Sequence, residues 1–129
     1  MKYVIQVNAS PYQSNAGNSA YQFVVAALAA GHEVVQVFFY HEGIYQALKY
    51  ALPPDDEIQT SARWSGLAKA YPVDLLVCIS AAQRRGLLAL DEARRQGKHD
   101  DDLAEGFRIG GLGQLLEATL KADRFIVFG

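Results

Sequence analysis

"KYVIQVNASPYQSNAGNSAYQFVVAALAAGHEVVQVFFY", residues Lys2 to Tyr40, reads as strand, loop, helix and second strand. Lys2 to Asn8 is a short β-branched run closed by the turn-forming pair Ser10-Pro11. Asn18 or Ser19 then caps a helix running to Ala30, and Gly31 supplies the left-handed position at which a helix ends. Glu33 to Tyr40 has apolar residues on both faces, at Val34, Val35, Val37, Phe38 and Phe39, as in a sheet covered on both sides.

The alternation continues outward from this unit. After Gly43, "IYQALKYAL" has helical character until Pro53-Pro54 and the acidic run Asp55, Asp56 and Glu57 end it in a polar loop. Thr60 or Ser61 opens a helix to about Ala70, with Trp64, Leu67 and Ala68 at helical spacing. Beyond Pro72, "VDLLVCIS" is a third strand, and Ala81 to Gln96 is mostly helical, in two pieces meeting near Gly86. "GKHDDDLAEG" is exposed loop, "FRIG" a short fourth strand, Leu112 to Ala122 a helix and "RFIVF" a last strand. The expected fold is α/β: one domain over residues 1–129, three layers, with a mostly parallel sheet of about five strands and helices on both faces. In such a sheet reactive and binding groups gather beyond the carboxyl ends of the strands, which marks the loops at 9–18, 40–45 and 78–86.

The totals exclude several function classes. Twelve Lys and Arg against fourteen Asp and Glu leave a formal charge of −2, with no net attraction for a polyanion, so no direct nucleic-acid partner is expected. The longest apolar run, Phe23 to Ala30, falls far short of the ~20 residues of a membrane span. The amino-terminal segment has no secretory h-region, which places the expectation in the cytoplasm. One cysteine, Cys78, forms no internal disulfide and no Cys-rich metal framework. His32 and His99 have no second ligand at metal spacing, so no metal site is expected.

Cys78 carries the sharpest question. By type alone a reduced cysteine is most often a small buried hydrophobe. Its position near the carboxyl end of the third strand argues otherwise, because a helix beginning around Ser80 would aim free N–H groups at the sulfur. That helix end and the cations Arg84 and Arg85 would favour the thiolate. The plainer reading of the arginine pair is a solvated helix face. His41, next to Glu42 at the end of the second strand, is placed to exchange a proton with a sulfur species or simply to face solvent. "NASPYQSNAGNSAY" has the small residues of a phosphate-binding turn without its Gly-rich fingerprint, and "GGLGQLLEA" lacks the G-x-G-x-x-G spacing.

Three blocks, "GHEVVQVFFYHEGIY", "VCISAAQRRG" and "GLGQLLEATLKADRFIVFG", resemble those of the DsrE/TusD-type sulfurtransferase subunits, in the same order over essentially the whole chain. The resemblance implies that Cys78 accepts a sulfane sulfur as a persulfide and passes it on. It also implies a cytoplasmic hetero-hexamer with two related sister subunits, a small upstream sulfur carrier and a downstream acceptor with a C-terminal cysteine. The sulfur would serve the 2-thiouridine of transfer RNA or dissimilatory sulfur oxidation. Activating groups are then expected in the loops at His41 and Ser80. Partners would cover apolar helical faces around Tyr45, Leu48 and Trp64. Two other readings stand beside this one: a non-catalytic scaffold subunit of the same complex, or a small-ligand-binding α/β module using the Ser10 to Asn18 loop.

Overall fold

Five parallel strands form the sheet, in the order β4-β3-β2-β1-β5, as described over residues 1–129 by a computed structural model. In chain order the elements are β1 (Lys2–Val7), α1 (Ala16–Ala29), β2 (Glu33–Phe39), a 3-10 helix (His41–Ala47), α2 (Thr60–Ala70), β3 (Asp74–Cys78), α3 (Ile79–Arg84), α4 (Leu90–Arg95), β4 (Phe107–Gly110), α5 (Leu112–Leu120) and β5 (Arg124–Phe128). The chain steps one way from β1 to β4, then returns across the whole sheet to lay β5 beside β1. Right-handed crossovers put α1 to α4 on one face and α5 alone on the other.

Side-chain contacts follow that division. Phe23 of α1 meets Tyr3 and Phe128 edge-on or tilted, and Trp64 of α2 packs between Tyr21 and Phe39. On the opposite face, a Cβ at Gly110 would meet both Leu76 and Gln114 of α5. Register carries this second face from Leu76 through Phe38 and Gln6 to Val127, and from Gln36 through Val4 to Phe125. One helix cannot cover five strands. Phe125 and Val127 remain about half exposed, and Leu112, Leu116 and Leu120 of α5 are exposed to a half or more. Exposed apolar side chains therefore lie on α5 and β5 and, in the segment after Leu48, at Tyr50, Leu52 and Ile58, but Tyr45, Leu48 and Trp64 themselves are not among them. Trp64 is fully buried, and Tyr45 and Leu48 are partly buried against the core.

Several element ends differ from expectation, each for a local reason. α1 begins at Ala16, ahead of Asn18 and Ser19, because Ser14 Oγ accepts the Ala16 N–H at 3.1 Å. The segment after β2 winds as a 3-10 helix from His41 and stops at Ala47. Leu48 there bridges antiparallel to Leu103, and the Lys49 N–H donates to the Asp102 carbonyl, which draws the backbone out straight. Gly43 lets this helix rest on the end of β1, since a Cβ there would collide with the Val7 carbonyl. β3 ends at Cys78 rather than Ser80. Gly86, at φ +83°, separates α3 from the segment leading to α4, the break expected near that residue.

Candidate active site at the end of β3

Cys78 is the last residue of β3 and pairs with Gly110 of β4. It is also the N-cap of α3, with extended angles of φ −64° and ψ 123°. A sulfur thus occupies the position where Ser, Thr, Asp or Asn usually accepts an N–H of the first turn, and it makes no capping bond. Its Sγ lies 3.4 Å from Ser80 Oγ. Cys78 is 1% exposed, whereas Ile79 is 43% exposed and Ser80 is exposed too, so the sulfur sits one side chain beneath the surface.

Of the other residues singled out by sequence, only Ser80 is brought to the sulfur. Arg85 turns away from it. Its Nε and Nη2 donate to Glu42 Oε1 at 2.9 and 2.7 Å, and its Nη1 donates to the Ala81 carbonyl at 3.1 Å. Its positive charge is therefore balanced by Glu42, and it clamps α3 to the 3-10 helix. Arg84 is exposed and has no bonding partner within the chain, as for a solvated helix face. His41 is exposed, holds φ +49°, stacks on Tyr40 at 4.0 Å between ring centroids, and makes no hydrogen bond to Cys78. The Glu42–Arg85 pair escaped sequence reading because its members lie 43 residues apart and only the packing of α3 on the 3-10 helix joins them.

No group of three or more His, Cys, Asp or Glu side chains is placed to hold a metal ion, and no helix is long and apolar enough to cross a membrane. The fold and this junction define a class: an open parallel α/β domain presenting its one thiol at the carboxyl edge of the sheet. The chain belongs to the DsrE/DsrF-like family, whose model matches residues 1–128. It is 49% identical over 129 residues to a protein of Allochromatium vinosum carrying the name "Putative sulfurtransferase DsrE", with 100% of this chain and 99% of that one covered. It is 43% identical over 128 residues to a sulfurtransferase TusD homolog of Vibrio parahaemolyticus, covering 99% and 98% of the two chains. The crystal structure of the YchN protein of E. coli shares the fold, with a TM-score of 0.76 at 22% identity over 99% of both chains.

Proposed function

We propose that this chain is a sulfurtransferase subunit of a sulfur relay and that Cys78 is its carrier. The observation that carries the reading is the full-length likeness to proteins named sulfurtransferases, in a chain with a single thiol standing at a strand end. In the transfer the Cys78 thiolate attacks the outer sulfur of a donor persulfide. An S–S bond to Cys78 forms as the donor's S–S bond breaks, and the donor leaves as a thiolate. The acceptor's thiolate then attacks the same outer sulfur and releases Cys78. No electrons are gained or lost overall and no cofactor enters. Ser80 Oγ is near enough to hydrogen-bond the sulfur in either state, and its exposed side chain marks the way out to solvent.

The whole chain, 1–129, acts as one cytoplasmic relay domain between an upstream carrier and a downstream protein with a C-terminal cysteine. It does so in a hetero-hexamer with two sister subunits, without touching nucleic acid directly. The exposed leucines of α5 and the exposed edge residues Phe125 and Val127 support assembly, because apolar surface gathered in this way often marks a face that a partner covers. Transfer RNA 2-thiouridine synthesis and sulfur oxidation are the two ends such a relay serves.

The burial of Cys78 favours one competing reading, a scaffold subunit whose cysteine only packs. Incubation with a persulfide donor followed by peptide mass spectrometry separates the two. A carrier gains one sulfur, removable by reductant, on the peptide containing Cys78. A chain that gains none, alone or with its sister subunits, is a scaffold.

A further inference from the structure

Outside the Cys78 junction, the loop after β1, the Asp56 to Ile58 loop and the first turns of α1 and α2 border an open cavity of about 410 Å³. Asn15 reaches it from just before α1, Asn18 from α1, Thr60 and Arg63 from α2, and the buried Gln46 from the 3-10 helix. The wall is built to a tight fit: Gln46 donates to the Ala9 carbonyl at 3.1 Å and accepts from Trp64 Nε1 at 3.2 Å, while Gly17 leaves out the Cβ that would strike the Gln46 amide.

Arg63 is the unusual member. It forms no ion pair. Its Nη1 donates to Asn18 Oδ1 at 2.9 Å, its guanidinium lies 4.0 Å from the Tyr21 ring centroid, and its Nε is wholly buried without an acceptor. Burial lowers its pKa from the ordinary arginine value, the mark of a cation without a counter-charge.

Two helix starts add to this charge. Neither Asn15 nor Gln59 makes a side-chain cap bond, and neither α1 nor α2 has an acidic residue in its first turn. The N–H groups of Asn18 and Thr60, both on the cavity wall, and of the adjoining Gly17, Ser61 and Ala62 have no acceptor within the protein. Helix starts and an unpaired arginine together suit an oxyanion. Asp56 and Glu57 also line the cavity, and their carboxylates repel a bare anion but accept hydrogen bonds from hydroxyls.

We propose that this cavity binds a small phosphomonoester that carries hydroxyl groups, with its phosphate at Arg63 and the two helix starts and its hydroxyls at Asp56 and Glu57. The volume lies within the range of small-ligand sites. A sugar phosphate and a nucleoside monophosphate share this chemistry, and the exposed Tyr12 ring at the cavity mouth offers a stacking face only to the second. The site is separate from the sulfur chemistry, so the Cys78→Ser variant keeps it.

The test is calorimetric titration of the full chain with ribose 5-phosphate, adenosine 5′-monophosphate, inorganic phosphate and adenosine, together with amide NMR. Saturable binding of both phosphorylated sugars is expected, with inorganic phosphate about tenfold weaker or worse and adenosine inert. Amide shifts should centre on Gly17, Asn18 and Thr60 to Ala62. Arg63→Met keeps an apolar stem against Tyr21 and removes the charge, and it should weaken binding about tenfold or more. A nucleotide that binds more tightly than the sugar phosphate assigns the base to Tyr12, and equal affinities assign recognition to the sugar phosphate. The proposal is overturned if no phosphorylated probe saturates, if inorganic phosphate or adenosine binds as well as they do, or if the shifts fall elsewhere. The wild-type NMR arm decides the matter even if Arg63→Met does not fold.

Discussion

Replacing the Cys78 sulfur by oxygen separates packing from chemistry, and the structure sets the size of the packing effect. In Cys78→Ser the new hydroxyl sits about 0.4 Å closer to its Cβ, so it does not approach the 3.4 Å neighbour Ser80 Oγ within an O–H···O bond of about 2.7 Å. An O–H left without an acceptor at 1% exposure costs about 1–3 kcal/mol. The position is also the N-cap of α3, where a serine oxygen accepts an N–H and contributes about 1 kcal/mol that sulfur does not. The net is a loss of about 0–2 kcal/mol, a fall in Tm of no more than about 8 °C for a chain of this size. That is well inside a typical reserve of about 5–15 kcal/mol. Cys78→Ala cannot cap and loses the contacts of one sulfur, roughly another 1 kcal/mol. Both variants should melt cooperatively by circular dichroism, and neither should take up or pass on sulfur by intact-mass analysis. Normal sulfur delivery by a folded Cys78→Ser complex would refute the carrier role. A fall in Tm far beyond 10 °C would refute the capping argument.

Glu42→Gln frees Arg85 from a pair whose side chains are 23% and 43% exposed, so Tm should fall by only a few degrees, about 1 kcal/mol or less, while iodoacetamide labels Cys78 faster as α3 loosens. An unchanged labelling rate would show that the clamp does not govern access. Leu116→Glu should leave the Tm of the isolated chain alone and abolish co-elution with its sister subunits, measured by light scattering; a complex that still forms would take α5 out of the interface. Gly43→Ala sets a Cβ against the Val7 carbonyl, a backbone atom with nowhere to go, and should cost about 3 kcal/mol or more in a thermal melt. Asp100 accepts from Lys49 Nζ at 2.9 Å and Tyr50 Oη at 2.8 Å, which holds its pKa at about 2 against an ordinary 3.8. The folded pKa is depressed, so this stabilisation is present above pH 3.8 and lost as pH falls through about 2. Carboxyl NMR should find that low midpoint in the wild type and return it toward 3.8 in Lys49→Met.

The strands were legible in sequence because their signal is local. Runs such as "EVVQVFF" and "DLLVC" are β-branched and apolar on both faces, and turn residues bound them. Helix starts were less legible where a turn bond ahead of the helix decides them, as the Ala16 N–H donated to Ser14 Oγ does for α1. The end of the 3-10 helix depends on Leu103, 55 positions further along the chain than Leu48, and nothing in "IYQALKYAL" announces it. The placement of Cys78 at the end of β3 was legible for the same local reason as the strand. The environment of Cys78 was not, since whether Arg85 faces a sulfur or a carboxylate depends on how two distant elements pack. The apolar surplus was misplaced for a related reason. Trp64 is of a type common at interfaces, but Tyr21 and Phe39 pack against it, while Leu112, Leu116 and Leu120 lie at i, i+4 and i+8 on a face of α5 that the chain leaves exposed.

Trp64 is the chain's single tryptophan, fully buried, with its indole N–H held by Gln46, a residue of the cavity wall. Excited at the red edge of its absorption, where the seven tyrosines do not absorb, the protein therefore reports from one indole, in one environment, joined to one site. A ligand that shifts the Gln46 amide changes the polarity at the indole nitrogen and moves the emission maximum, while unfolding exposes the ring and shifts it further to the red. Occupancy of the cavity and integrity of the fold can thus be followed in the unlabelled protein at the same time, by their separate spectral signatures.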